Sequence, residues 1–235
     1  MTVKVKVRSS VAGDFVLSHA FRFRPLLRQD ADGNLLSTLH AHFLDYWLMS
    51  HVQSSIDLVL KTIESLRPLE RNILKAADVM QECLRKGGKL MACGNGGSAA
   101  DVSDFTAEYV CRFMDDRPPF PAINLTSDGG LLAAIGNDYE FEEIFSRQVR
   151  AFGKRGDVLI VASTSGRSKN IVRALEESQR LGLESVALLG KDGGAAKGLA
   201  TVELIVPAAM TARTQEAHKV LFHIICELVD PLLKG

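Results

Sequence analysis

From residue 89 onward, short apolar runs alternate with longer stretches in which apolar side chains recur every three to four positions. The runs fall at 89–93, 122–125, 158–162, 185–189 and 202–206, and their length and composition predict strands. Between and after them the helical spacing predicts helices over 98–113, 130–135, 140–150, 168–181 and 214–233. Strands alternating with helices imply an α/β fold with a parallel sheet covered on both faces. In such sheets ligands bind beyond the C-terminal ends of the strands.

The part before the first strand reads differently. Phe43, Trp47, Ile56, Leu58, Leu60 and Ile63 recur at helical spacing over 39–66. Pro68 then suits a new helix start, and 69–84 is amphipathic until Gly87 and Gly88 close it. Two long helices ahead of the sheet need a partner surface, and a subunit interface is a natural solution. Residues 1–38 are expected to form an N-terminal extension, either a hairpin arm or a tail. It holds a possible strand at 3–7, then Gly13, Pro25 and a turn at Asp32-Gly33. The remainder, 39–235, is expected to be one domain that begins with a helical hairpin.

Composition narrows the partners. The 28 Lys+Arg balance the 28 Asp+Glu, so nothing global favours nucleic acid or an anionic membrane surface. No apolar run approaches the ~18–20 residues that span a bilayer. The first eight residues alternate charged and apolar side chains and lack the apolar core of a secretory signal. The expectation is a cytoplasmic protein with no nucleic-acid or membrane partner. Its four cysteines have no CxxC spacing and are expected as reduced, packed thiols.

Two turns carry the chemistry. Gly94-Asn95-Gly96-Gly97-Ser98 and Ser163-Thr164-Ser165-Gly166-Arg167-Ser168 each follow a predicted strand and precede a predicted helix. Glycines let backbone N–H groups approach an anion, hydroxyls add donors, and the helix start adds partial positive charge. The second turn is not a P-loop, because the Lys-Ser/Thr ending is missing. Together the turns suit a phosphorylated small molecule. If Ser98 opens a helix, Asp104 and Glu108 share one face, either as a solvated pair or as a metal or proton-transfer pair. In the last helix His223 is flanked by Leu221, Phe222, Ile224 and Ile225, so it is expected to be packed. Gln215, two turns earlier, can converge loosely with it. His218 lies about 140° around the helix and is expected at a surface or interface.

CGNGGSAAD, RPPFPAI, AIGNDYEFEEIFSRQV, GDVLIVASTSGRSKNI, KDGG and QEAHKVLFH, in this order and spacing, resemble the phosphoheptose isomerases of the SIS (sugar isomerase) superfamily. The resemblance covers about residues 60–233. It implies a three-layer, flavodoxin-like SIS fold with long N-terminal helices. It also implies a homotetramer with active sites at subunit interfaces. The implied reaction converts sedoheptulose 7-phosphate to D-glycero-D-manno-heptose 7-phosphate, in heptose biosynthesis.

Residue by residue, the resemblance assigns phosphate binding to Ser163, Thr164, Ser165 and Ser168. Asn95, Gly96, Gly97, Ser98, Arg112, Asp128 and Gln215 are the further implied substrate contacts. Glu108 and His223 are the implied catalytic pair. Zinc is implied at Asp104, Glu108, Gln215 and His223. Asp104 departs from the family, which usually has His there, and makes the donor set harder and richer in oxygen. Two other readings stand beside the enzyme: an isomerase of another phosphosugar, and a non-catalytic SIS protein that associates with the bacterial replication initiator. In that last branch the glutamate position is substituted, whereas Glu108 is present here. A sugar-phosphate-sensing regulator ranks lower, since no helix-turn-helix segment is evident.

Overall fold

The computed structural model describes residues 5–9, 13–17 and 36–233. The chain divides into two compact units, Met1–Gln53 and Ser54–Gly235. In the first, β1 (Val5–Ser9) pairs antiparallel with β2 (Gly13–Leu17), Val5 opposite Leu17. The described strand takes in residues 5–7 of the one expected at 3–7 and runs on to Ser9; residues 3 and 4 lie outside the described residues. Pro25 and the Asp32-Gly33 turn lie outside the described residues. Helix α1 (Leu36–Glu64) is followed by a 3-10 turn at Arg67–Leu69 that holds Pro68, and then by α2 (Glu70–Arg85). The pause comes where Pro68, lacking an N–H, can only start a helical turn.

The second unit contains five strands: β3 (Leu90–Gly94), β4 (Ala122–Asn124), β5 (Val158–Ser163), β6 (Glu184–Gly190) and β7 (Val202–Val206). All pair in parallel, in the order β4-β3-β5-β6-β7. Counted within the sheet this is 2-1-3-4-5, the flavodoxin-like order. The strand-connecting and flanking helices are α3 (Gly97–Val110), α4 (Gly129–Asp138), α5 (Ser146–Phe152), α6 (Lys169–Leu181) and α7 (Thr211–Val229).

Strand alternation sorts the two cores. Leu90, Ala92, Ile160, Ala162 and Leu188 share one core with Met80 of α2, Phe105 of α3 and Leu221 of α7. Met91, Cys93, Leu159, Val161 and Leu189 share the other with Val149 of α5 and Ile171 and Leu175 of α6. β3 and β5, buried on both faces, read as unbroken apolar runs, whereas the edge strand β7 alternates buried with half-buried positions and carries Glu203. Among the described residues no helix is long and apolar enough to cross a membrane. Cys83, Cys93 and Cys226 are buried thiols, but Cys111 is exposed, against the expectation of packing. Burial pushes the Cys83 thiol up to about 11 and that of Cys226 up to about 12.

Sheet order positions the site. From β3 the chain moves to β4 on one side, and it returns in β5 on the other. Gly94 pairs with Ala162, so the turns after β3 and β5 leave adjacent strand ends at the point where the strand order reverses.

Candidate active site

The two turns form one cleft. Asn95, Gly96, Gly97 and Ser98 line it from the β3 side, and Ser163, Thr164, Ser165 and Ser168 from the β5 side. Thr211 and Gln215 of α7 complete the lining of a cavity of about 280 Å³. Gly97 leaves room for Gln215: a Cβ there would stand 2.2 Å from Gln215 Nε2. Gly166 has φ +60°, and a Cβ on it would lie 1.9 Å from the Gly193 carbonyl oxygen, so the KDGG segment packs directly on the serine turn.

Hydroxyl oxygens hold the turn in shape. Ser163 Oγ accepts from the Gly166 N–H at 3.0 Å, and Ser165 Oγ accepts from the Arg167 N–H at 3.2 Å. Because these oxygens are acceptors within the turn, their own hydrogens remain to be donated to an anion. Ser168 caps α6 in an extended conformation without a side-chain capping bond, and Gly96 caps α3 with φ +55°. Two helix N-termini therefore adjoin the cleft with their partial positive charge, although at α3 the Ser98 and Ala99 N–H groups already bond the Asn95 and Gly96 carbonyls. The Asn95 and Asn170 carboxamides bond reciprocally, both at 2.9 Å, and tie the two turns together. Asn170 lies inside the GDVLIVASTSGRSKNI segment, but nothing in its spacing marks it as a partner of Asn95.

Farther along α3 and α7 sits a second group. Asp104 and Glu108 of α3 and His223 of α7 offer donor atoms all within 4.8 Å of one another. Lys219 Nζ lies 2.7 Å from Asp104 Oδ2 and 3.6 Å from Asp101 Oδ1, and His223 Nε2 lies 3.8 Å from that same Asp104 oxygen. The hydrogen bond from Lys219 holds the Asp104 carboxyl below its ordinary range. Burial pushes Asp101 the other way, against the pull of Lys219. Two carboxylates and an imidazole suit a divalent cation in donor chemistry, with a preference for hard ions.

The SIS domain family pattern matches residues 54–190. Phosphoheptose isomerase of Shewanella loihica is 44% identical over 190 residues, which span 79% of this chain and 96% of that protein. The chain belongs to the phosphoheptose isomerase family of SIS-domain proteins. Solved structures agree with that membership. A phosphoheptose isomerase from Francisella tularensis matches with TM-score 0.72 and 40% identity, over 80% of this chain and 98% of that one. Phosphoheptose isomerase GmhA from Neisseria gonorrhoeae matches with TM-score 0.70 and 41% identity, over 80% and 99%.

Other residues implied by the family likeness stand apart from the cleft lining. Arg112 is exposed and donates to the Met114 carbonyl at 3.0 Å. Asp128 caps α4, its Oδ1 accepting from the Leu131 N–H at 2.9 Å. Gln215 stands in the cleft, and eight residues of α7 separate it from His223, a rise of about 12 Å.

The two histidines reverse the expectation. His218, expected at a surface or interface, has no exposure at all, while the side chain of His223, expected to be packed, is 44% exposed. Desolvation lowers His218 to about 4, and the Leu189 backbone, which favours the charged form, does not complete a hydrogen bond with it. His223 instead sits near Phe113, with ring centroids 6.0 Å apart.

Proposed function

We propose that this chain is an aldose–ketose isomerase that converts sedoheptulose 7-phosphate to D-glycero-D-manno-heptose 7-phosphate. The carrying observation is the close approach of the Glu108 carboxylate and the His223 imidazole on helices that also wall a serine-lined anion cleft. The phosphate is held by Ser163, Thr164, Ser165 and Ser168 and by the starts of α3 and α6. Binding energy spent there, remote from the reacting carbons, orients the sugar. Asn95, Gly96, Gly97, Ser98 and Gln215 contact its middle, and Arg112 and Asp128 are further substrate contacts from outside the cleft lining.

Glu108 takes the proton from C1 of the ketose, and the electron pair left behind forms the C1–C2 double bond of an enediol. His223 moves a hydroxyl proton between O1 and O2. Glu108 then returns its proton to C2, which gives the aldose. Atoms and charge balance without an outside reagent. Zinc, the ion implied by the family likeness, would lie with Asp104, Glu108 and His223 and polarise the carbonyl oxygen when bound. Within one chain this region is half exposed, with Asp104 at 50% and His223 at 44%. Proton transfer of this kind gains from exclusion of water. A second copy of the chain supplies that cover in a homotetramer, and the enzyme acts in the cytoplasm.

Glu108→Gln keeps the shape of the site and removes the base. Turnover is expected to fall about 10²–10⁴-fold while phosphate-ester binding stays near normal. Incubation with sedoheptulose 7-phosphate, followed by NMR for the aldose, checks this. Near-normal turnover in Glu108→Gln removes the carboxylate from its role. No aldose from the unaltered protein removes the isomerase reading.

A further inference from the structure

Lys219 lines no part of the anion cleft, yet its ammonium sits between two carboxylates of α3. It donates to Asp104 Oδ2 at 2.7 Å and lies 3.6 Å from Asp101 Oδ1. The same Asp104 oxygen lies 3.8 Å from His223 Nε2. One oxygen is thus shared between an ammonium and an imidazole. Asp101 Oδ2 is buried with no hydrogen-bond partner among the described residues, so Lys219 is also the counter-charge to a second, partly desolvated carboxylate. The Lys219 side chain is one-third exposed, which leaves it held in place but free to swing out.

A divalent ion that uses Asp104 with Glu108 and His223 must either take that oxygen from Lys219 or accept a positive charge beside it. Both oppose binding. When no metal is present, the ammonium does part of a metal's work: it neutralises Asp104 and fixes the carboxylate next to His223. We infer that Lys219 is a resident cation that holds this cluster together without metal and competes with divalent ions for Asp104. The inference rests on reading the cluster as the reacting end of the site, but its test does not depend on turnover.

Zinc and manganese, each alone, are titrated calorimetrically into chelator-stripped full-length protein, with Lys219→Met and Lys219→Arg beside the unaltered chain. A part-exposed ion pair is a modest competitor, so Lys219→Met is expected to bind both ions about tenfold more tightly. Lys219→Arg keeps the charge and is expected to bind them as the unaltered chain does. Equal affinity in all three proteins overturns the inference, and so does a gain in Lys219→Arg that matches Lys219→Met. Circular dichroism checks folding, and Lys219→Gln replaces the Met variant if that one does not fold. Turnover of sedoheptulose 7-phosphate is scored separately on the same samples. Tighter metal binding without turnover keeps the competition and sinks the isomerase, whereas turnover with unchanged metal binding does the reverse.

Discussion

At the scale of the residue, His218 and His223 differ in what surrounds them and so in what they do. His218 has no exposure and is lowered to about 4, since burial disfavours the imidazolium. In the unfolded chain it titrates near ~6.5. The unfolded state therefore binds more protons between those values, and stability is full above about 6.5 and lost as pH falls toward 4. The implied loss has an upper bound of ~3 kcal/mol. His218→Leu is expected to flatten the fall in melting temperature between pH 7 and pH 5, and a fall as steep as in the unaltered protein would take His218 out of the acid response. Sequence reasoning placed these two imidazoles the wrong way round. α7 shares its core with the sheet on one side and with α2 and α3 on another, so apolar neighbours along the chain do not say which histidine faces inward.

Among elements, α5 and α6 are clasped by charge as well as by their shared apolar core. Arg150 bonds both oxygens of Glu177 at 3.0 Å, and Arg180 reaches the same carboxylate at 2.6 Å. The hydrogen bonds from Arg150 and Arg180 pull the Glu177 carboxyl down to about 2. That stabilisation is present above the ordinary carboxylate range and fades as pH falls through it toward 2. Both guanidinium groups are more than half exposed, so solvent screens much of the attraction. Glu177→Gln is expected to cost about 1 kcal/mol, read as a small drop in melting temperature at pH 7 that shrinks in high salt. A drop that salt leaves unchanged would mean the glutamate acts through packing. Helices and strands such as these were legible in advance because period and turn residues are local properties, but α5 starts at Ser146, six residues after the expected 140, behind a 3-10 turn at Phe141–Glu143. The Glu177 clasp was not, since Arg150 lies on a different helix.

At the scale of the whole molecule, the cluster of Asp104, Glu108 and His223 stays half exposed within one chain. Ile56 and Leu60 lie one turn apart on α1 and are 47% and 59% exposed. Apolar side chains repeated along a helix face are the material of a subunit interface. Ile56→Glu combined with Leu60→Glu is expected to lower the assembly state, seen by light scattering after size-exclusion chromatography, and to lower turnover with it. A double variant that keeps both mass and turnover would show that this face takes no part in assembly.

By itself the sequence determined the alternating α/β order, the two glycine- and serine-rich turns after β3 and β5, and the shared face of Asp104 and Glu108. Each follows from periodicity or turn chemistry within about a dozen residues. Tertiary structure alone decided that Asn170 locks to Asn95, that Lys219 takes hold of Asp104, and which histidine meets the carboxylates. Those pairings join helices and loops 75 to 119 positions apart. A helical period tells which way a side chain points, and only the packed fold tells what it meets there.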